Sequence, residues 1–307
     1  YPIHSEARLS HRISGALAVL ALACGLARAQ TVEHVVVFGV DGLAARAIDK
    51  SRAPNMVRLM ERGSWTLRAR SVIPTVSSPN WSALIAGAGP DFTGVTSNDW
   101  QPNKFEIAPF CHDGANHPPT IFGVIRKAKP ALKTALFTDW PDFVRLVEPL
   151  AASKVFSQPD DAGAVVRQAA SYLIGDRPTL LFIHVDNVDH AGHQSGWFSP
   201  KYLMAVHTAD DALGSVLAAI DKAGLAASTV VLLVADHGGH DAKHGAMQQS
   251  DIEVPWIAMG PGVPSNREIK SPVSVTQTAP TIAAWLGLPA NDCWVARPVA
   301  GAMGGLR

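Results

Sequence analysis

The stretch that most constrains this chain is an apolar run that ends abruptly in polar residues. Residues 230–235 read VVLLVA, a continuous apolar run typical of a strand buried on both faces of a parallel sheet. Asp236, His237, two glycines and His240 follow at once, and His244 comes shortly after. Carboxylate and imidazole groups suit a divalent cation, and glycines allow tight turning, so this strand end is a candidate metal site. A capped turn is the alternative interpretation of the same residues.

Two further apolar strands are predicted, and each is also followed by acidic residues. Residues 34–40 (HVVVFGV) precede Asp41, and residues 179–185 (TLLFIHV) precede the acidic and histidine-rich stretch 186–193. Ligands of parallel sheets bind beyond the carboxyl ends of the strands. We therefore expect Asp41, the 186–193 stretch and Asp236 to meet at one edge of the sheet and to form a metal site.

The remaining pattern alternates helices with strands. Helices are predicted at 54–62, from Pro79 with Ser78 as N-cap, and at 123–129, 160–174, 201–223 and 276–286; further strands are predicted at 134–138 and 254–259. This alternation predicts an α/β fold, a three-layer α/β/α sandwich with a mainly parallel central sheet. Residues 30–300 contain no repeat or low-complexity linker, so residues 30–307 are predicted to form one domain, or one domain with a small insert.

Composition and charge give no reason to expect certain partners. The chain has 307 residues, 47% of them hydrophobic, with 26 basic and 26 acidic side chains. Nothing in this balance favours a nucleic-acid polymer or an anionic membrane surface as partner, and the oligomeric state is left open.

The N-terminal region is predicted to be a signal peptide, residues 1–29. Arg8, His11 and Arg12 precede an apolar run at 13–26, and Ala27-Arg28-Ala29 supplies the small residues of a cleavage site. This predicts a periplasmic or secreted protein with no membrane span in the mature chain. An uncleaved anchor helix and a lipoprotein anchor at Cys24 are the alternatives.

Two cysteines, Cys111 and Cys293, remain after the predicted cleavage. An oxidising compartment would permit a disulfide between them, and two unpaired buried thiols are the alternative. Cys111 lies in an aperiodic stretch, 100–120, which we interpret as a surface excursion that makes substrate-specific contacts, with His112 and His117 as solvated histidines.

Ser77 is a candidate nucleophile. It lies just before the predicted start of a helix, where backbone N–H groups favour an anion. A serine in this place is more often a cap, so the residues alone leave both roles open.

Several short motifs together carry a resemblance to a known family. They are VDG at 40–42, SSPN at 77–80, GVTSN at 94–98, DHAGH at 189–193, DHGGH at 236–240, HG at 244–245 and GPG at 260–262. In order and spacing the sequence resembles the alkaline phosphatase superfamily, most of all its nucleotide pyrophosphatase/phosphodiesterase branch, over nearly the whole mature chain. The resemblance implies an alkaline phosphatase-like fold and two divalent metal ions, namely zinc.

The resemblance also implies roles for single residues. One ion would be held by Asp189, His193 and His244. The other would be held by Asp41, Asp236, His237 and the nucleophile Ser77. Thr75 and Ser78 are the fallback nucleophiles. Asn98 would donate a hydrogen bond to a phosphoryl oxygen.

The sequence departs from the family pattern in two places. The nucleophile of this branch is usually threonine rather than serine, and Trp81 stands where a histidine is common. His240 is not matched to a ligand and is expected to be exposed or to support the site. His184 and Asp186 are expected to orient the ligands.

The predicted function is the hydrolysis of small-molecule phosphate esters, as a phosphodiesterase/nucleotide pyrophosphatase with a covalent phosphoseryl intermediate. No arginine stands out as a clamp for a doubly charged monoester, which favours diesters, although Arg68, Arg70 or Arg145 could fold into the site. A phosphomonoesterase or sulfatase is the alternative; sulfatases carry an arginine where Trp81 stands. An alternative of another class is a secreted metal-binding domain without catalysis, but neither the nucleophile nor a ligand is missing.

Overall fold

A computed structural model describes residues 1–2, 31–48 and 53–304 of the chain. The predicted signal peptide, residues 1–29, falls outside the described residues apart from its first two positions, and so does Cys24.

The centre of the fold is one mixed sheet, which has eight strands within the described ranges. The strands are β1 His34–Val40, β2 Ser64–Arg70, β3 Thr134–Thr138, β4 Lys154–Ser157, β5 Leu180–Val185, β6 Thr229–Val234, β7 Glu253–Met259 and β8 Arg267–Glu268. Their order is β4-β3-β5-β1-β6-β7-β2-β8. The first five strands in this order, β4, β3, β5, β1 and β6, are parallel to one another. Strand β7 runs antiparallel to both of its neighbours, β6 and β2. The predicted mainly parallel α/β fold is confirmed.

Helices cover the sheet in two groups. The helices are α1 Pro54–Arg62, α2 Ser77–Ala86, α3 Pro90–Thr93, α4 Ile121–Ala128, α5 Ala162–Asp176, α6 Asn187–Ser195, α7 Pro200–Lys222, α8 Gln249–Ile252 and α9 Thr278–Trp285; 3₁₀ turns lie at Pro141–Leu146, Val275–Gln277 and Ala300–Ala302. Helices α1, α5 and α6 all contact α7, whereas α2, α4 and α9 contact one another. These groups are the outer layers of the sandwich.

The apolar runs of the sequence form the middle of the sheet. Every residue of β1, β5 and β6 is buried, as expected for strands covered on both faces. Gly39 in β1 permits the close approach of α2, because a Cβ atom there would lie 2.7 Å from the Trp81 ring. Trp81 also meets Phe182 of β5 edge to face.

Helix α7 packs along one side of the sandwich. Within the described ranges it is the one helix whose length and apolar composition would allow a membrane crossing, a property that buried core helices share. The spacing of Tyr202, Ala205, Leu213 and Val216 in the sequence predicts one buried stripe on this helix. Tyr202, Leu213 and Val216 are fully buried, as predicted, whereas Ala205 is only half-buried.

The predicted start of helix α2 is wrong by two residues. The helix begins at Ser77 rather than Pro79, and Val76 rather than Ser78 is its N-cap. The Ser78 N–H donates to Oδ1 of Asn98 at 2.8 Å. Because a side chain from a later loop satisfies this donor, the helix start needs no local capping residue.

A disulfide anchors the stretch 100–120. Cys111 is bonded to Cys293, so the first of the two alternatives for these cysteines applies. His112 is exposed as expected. The prediction for His117 is wrong, because it is buried and packs edge to face on Trp100. Substrate contacts of this stretch stay a prediction.

We predict that the disulfide stabilises the fold by about 2–4 kcal/mol, because it closes a long loop of the unfolded chain. The free energy of unfolding, measured by urea titration without reductant, should fall by the same amount in Cys111→Ala, in Cys293→Ala and in the double variant. A double variant markedly more stable than either single variant would show that the loss comes from the free thiol left behind rather than from the missing bond.

Candidate active site

The three predicted acidic strand ends lie at one edge of the sheet. Strand β1 lies between β5 and β6 and pairs in parallel with both. Asp41 follows β1, Asp189 lies in the first turn of α6 just after β5, and Asp236 lies two residues beyond β6. The predicted gathering of these acids is therefore observed.

One group of possible ligands is Asp189, His193 and His244, which we call the outer group. The Nε2 atom of His193 lies 3.3 Å from Oδ2 of Asp189 and 3.1 Å from Nε2 of His244. Asp189 and His193 are four residues apart on α6, so they share one face of the helix. The His193 side chain is 46% exposed, and this group therefore opens to solvent.

The second group is Asp41, Asp236 and His237, which we call the inner group. All three are buried, with exposed fractions of 0–1%. The Nε2 atom of His237 lies 3.1 Å from Oδ2 of Asp236 and 3.5 Å from Oδ1 of Asp41. Gly42 N–H donates to the other oxygen of Asp236.

Ser77 and the two groups form one continuous site. The Oγ atom of Ser77 lies 3.3 Å from Nε2 of His237. The rings of His237 and His244 stack with their centroids 3.7 Å apart, which brings the inner and outer groups side by side. The fallback nucleophiles have other partners: the Thr75 hydroxyl donates to the backbone oxygen of Ala246, and the Ser78 hydroxyl accepts from Arg145.

The donor atoms fit cations. One carboxylate oxygen each of Asp41, Asp189 and Asp236 is buried and lacks a hydrogen-bond partner. Leaving such atoms without a partner is costly, and cations in the two groups would satisfy all three. Mixed carboxylate and imidazole donors are typical ligands of zinc.

The protonation states follow from burial and from charge crowding. Burial, together with the charge of Asp41, raises the pKa of Asp189 and Asp236 well above the ordinary range. Burial also lowers the pKa of His237 to about 4 and lowers that of His244. Both imidazoles are therefore neutral near pH 7, which is the form that binds a metal.

Backbone carbonyls orient each imidazole. The Nδ1 atoms of His193, His237 and His244 lie within 2.8–3.1 Å of the backbone oxygens of Ala242, Gly238 and Thr75, respectively. An Nδ1–H that donates to a carbonyl leaves Nε2 as the ligand atom, and in all three residues Nε2 is the atom that faces its group.

Asp41 is oriented by two donors, one from helix α2 and one from strand β5. Trp81 Nε1–H donates to Oδ2 of Asp41 at 2.8 Å, and Nε2 of His184 lies 3.1 Å from the same oxygen. This leaves Oδ1 for a cation. On its other side, His184 approaches Asp139 at 3.6 Å. Burial lowers the pKa of His184, but its interactions with Asp139 and Asp41 outweigh burial and raise the pKa to about 9.

Sequence reasoning missed Asp139, and it treated Trp81 only as a departure from the family pattern. The indole supplies an N–H donor, as an imidazole can, and this was the signal that could have identified its role. Asp139 follows strand β3. It could have been noticed as a fourth acidic strand end.

The supporting residues lie as follows. His240 is half-buried, and its Nδ1 lies 2.7 Å from Oδ1 of Asp251, which is consistent with support of the site. Asp186 donates its backbone N–H to Asp139, and its carboxylate lies close enough to Asp41 and Asp189 to form a further possible cation group with them.

Comparison with known proteins identifies the class. Residues 35–260 match the type I phosphodiesterase / nucleotide pyrophosphatase family. A structure of murine ectonucleotide pyrophosphatase / phosphodiesterase 5, an inactive form in complex with AMP, superposes with a TM-score of 0.70 and 15% identity; the match covers 85% of this chain and 96% of that chain. This likeness shows an alkaline phosphatase-like fold.

Two curated relatives illustrate the range of similarity. Ectonucleotide pyrophosphatase/phosphodiesterase family member 3 of Mus musculus is 23% identical over 227 residues, which cover 66% of this chain and 24% of that protein. Arylsulfatase K of Danio rerio is 38% identical over 93 residues, which cover 29% of this chain and 18% of that protein. The chain thus spans about a quarter or less of the length of these relatives.

Because the family match covers most of its length, the chain belongs to the type I phosphodiesterase / nucleotide pyrophosphatase family. The predicted recognition is confirmed, and the predicted enzyme class, a phosphoric ester hydrolase, is that of this family.

We predict that the metal-free protein loses stability as the pH rises from about 6.5 to about 8. The folded-state pKa of Asp186 is raised to about 8 by burial and by Asp41, and that of His184 is raised to about 9. In this window the folded chain holds protons that the unfolded chain has released, so rising pH favours unfolding. The lowered pKa of His237 acts only below this window.

The measurement is the midpoint of thermal unfolding in EDTA at half-unit pH steps, with a zinc-loaded sample as control. Bound cations neutralise the carboxylates, so the loaded protein should show a smaller fall. A midpoint in EDTA that stays level or rises across the window would contradict the prediction.

We also predict that Trp81→Phe weakens metal binding on the order of tenfold, because it removes one of the two donors that orient Asp41. Trp285→Phe is the matched control: this indole is also buried, but its N–H has no hydrogen-bond partner among the described residues. Dissociation constants for zinc from competition with a chromogenic chelator test the difference. Equal affinities in the two variants would show that the indole of Trp81 only fills space.

Proposed function

We propose that the chain hydrolyses phosphodiesters through a covalent phosphoseryl intermediate on Ser77, at a site that holds two divalent metal ions. The observation that carries the proposal is the position of Ser77 Oγ, 3.3 Å from His237 of the inner group and within the first turn of α2. A hydroxyl beside a cation site and at a helix N-terminus has the two features that phosphoryl transfer requires, namely activation and anion binding.

The inner and outer groups are the proposed ligands of the two ions, and we propose that the ions are zinc. Ser77 completes the inner group. Two cations bound there would lower the pKa of the Ser77 hydroxyl and neutralise the departing oxygen of the substrate.

The side chains of this protein then account for the two steps. Ser77 Oγ attacks phosphorus, the Oγ–P bond forms, the bond to the leaving oxygen breaks, and the leaving oxygen departs as an alcohol with the proton that the Ser77 hydroxyl has lost. Water next attacks the phosphoseryl phosphorus, which restores the Ser77 hydroxyl and releases the monoester.

Asn98 and the start of α2 stabilise the charge that develops on the phosphoryl oxygens. Oδ1 of Asn98 already accepts the Ser78 N–H, so its Nδ2 amide is the group that remains to donate. The Asn98 side chain is exposed and accessible to a substrate. Donors placed where charge develops lower the barrier of the chemical step.

Nucleotides or related small diesters are the proposed substrates, in a periplasmic or extracellular setting. Family membership supports the substrate class, and a solved relative of the same fold is in complex with AMP. The disulfide fits the proposed compartment, since such bonds persist in oxidising surroundings.

A sulfatase or phosphomonoesterase is the second candidate. A segment of the chain is 38% identical to an arylsulfatase. Against a sulfatase, Trp81 stands where an arginine is expected, and it donates to Asp41. Arg145 lies beside Ser78 and Asn98, so the absence of a nearby arginine, which favoured diesters in the sequence, does not hold.

Turnover of aryl phosphodiester, phosphomonoester and sulfate substrates by the zinc-loaded protein decides between the candidates. We expect kcat/KM for the diester to exceed the other two by about tenfold or more, a difference of about 1.4 kcal/mol in transition-state stabilisation. A preference of that size for the monoester or the sulfate would reject the diesterase assignment.

Ser77→Ala should reduce kcat/KM about 10³-fold or more and leave two metal ions bound per chain, since it removes the attacking atom but no carboxylate or imidazole. Ser82→Ala on the same helix is the matched control, because its buried hydroxyl has no hydrogen-bond partner in the described structure. Initial rates and metal content by mass spectrometry are measured on the same samples. A metal-binding domain without catalysis would show no Ser77-dependent turnover at all.

A further inference from the structure

Arg145 is a largely buried cation that the proposed mechanism does not use. It lies on the 3₁₀ turn Pro141–Leu146, and its side chain is only 13% exposed. Its Nη1 forms an ion pair with Asp142, whose side chain is half exposed. Its Nη2 donates to the Ser78 hydroxyl at 3.2 Å and also to the backbone oxygen of Asn98.

These contacts close a ring of three residues. Arg145 holds the Asn98 backbone and the Ser78 hydroxyl, and the Ser78 N–H holds Oδ1 of Asn98. The Asn98 residue is thus fixed at both its backbone and its side chain. A guanidinium is suited to this task, because Nη1 is held by Asp142 and the planar group then fixes the direction in which Nη2 meets its two acceptors.

The 3₁₀ turn Pro141–Leu146, which carries Arg145, packs against the residues that orient Asp41. Phe143, two residues earlier, is fully buried and contacts both Trp81 and His184, with ring centroids 5.5 Å and 5.1 Å apart. The position of the guanidinium is therefore coupled to the same residues that orient Asp41.

We propose that Arg145 is a positioning residue that holds the Asn98 amide in the direction of the phosphoryl oxygens. The proposal rests on the proposed function, since Asn98 matters to catalysis only if a phosphoryl group is bound beside it. Arg145 acts through Asn98, and its loss affects the reaction only while the Asn98 side chain is present.

A double-mutant cycle tests this dependence. Arg145→Ala and Asn98→Ala should each reduce kcat by about 10- to 100-fold with little change in KM, because misplacing a transition-state contact by about 1 Å is that costly. Asn98→Ala keeps the backbone oxygen that Arg145 binds but leaves no amide to direct. The double variant should therefore be no slower than Asn98→Ala alone.

Multiplied losses in the double variant would overturn the proposal, because independent effects show that Arg145 acts directly on the substrate or on the fold. If Arg145→Ala does not fold, Arg145→Lys, which keeps the charge without the planar fork, enters the same cycle under the same criterion. Asp142→Asn is the control for the exposed partner and should stay within about threefold of the parent, as expected for a weak surface ion pair.

A second readout does not depend on turnover. The measurement is the NMR signal pair of the Asn98 side-chain amide, which is identified by its absence in Asn98→Ala. These signals should be sharp and dispersed in the parent protein and should move toward the chemical shifts of exposed amides in Arg145→Ala. Unchanged signals would overturn the positioning role even if activity fell. If the parent protein shows no Ser77-dependent turnover but the Asn98 amide signals of Arg145→Ala shift as expected, the proposed function alone is rejected.

Discussion

The structure depends on three carboxylates that are crowded together in a buried place at one edge of the sheet. Asp41 and Asp236 are fully buried and Asp189 nearly so, and each keeps an oxygen without a hydrogen-bond partner. Burial and the repulsion between like charges held this close raise the pKa of Asp189 and Asp236. Such an arrangement is stable with cations between the carboxylates, so the fold and the proposed chemistry impose the same requirement on this edge of the sheet.

The surrounding elements position these carboxylates and the groups that contact them. Strand β1 between β5 and β6 brings the acids together, and carbonyls on the surrounding loops turn the imidazoles toward them. Helix α2 reaches Asp41 with Trp81 because Gly39 leaves room for the indole. The antiparallel strands β7 and β2 extend the sheet without supplying any residue of the inner or outer group. The proposed metal ligands thus come from the parallel half and the loops that follow it, whereas Ser77 comes from helix α2, which follows β2.

The sequence predicts those parts of the molecule in which local pattern and tertiary need coincide. The apolar runs before Asp41 and Asp236 predict buried strands, and the parallel-sheet rule places their ends together. It predicts less well where a distant side chain replaces a local one. Helix α2 starts at Ser77 with Val76 as its N-cap, and the distant Asn98 accepts the Ser78 N–H that a local capping side chain would otherwise accept; no residue near Ser77 signals this. The contacts of Arg145 and the burial of His117 likewise depend on loops whose course has no periodic signal.

Two hydrogen bonds connect the loop that precedes Ser77 with the loop that carries His244. The Thr75 backbone oxygen accepts from His244, and the Thr75 hydroxyl donates to Ala246. Neither loop can lengthen or drift in evolution unless the other follows, since a shift in one pulls a ligand or the nucleophile out of register. Diversification of this chain should therefore spare both loops and accumulate in the antiparallel half and in surface excursions elsewhere.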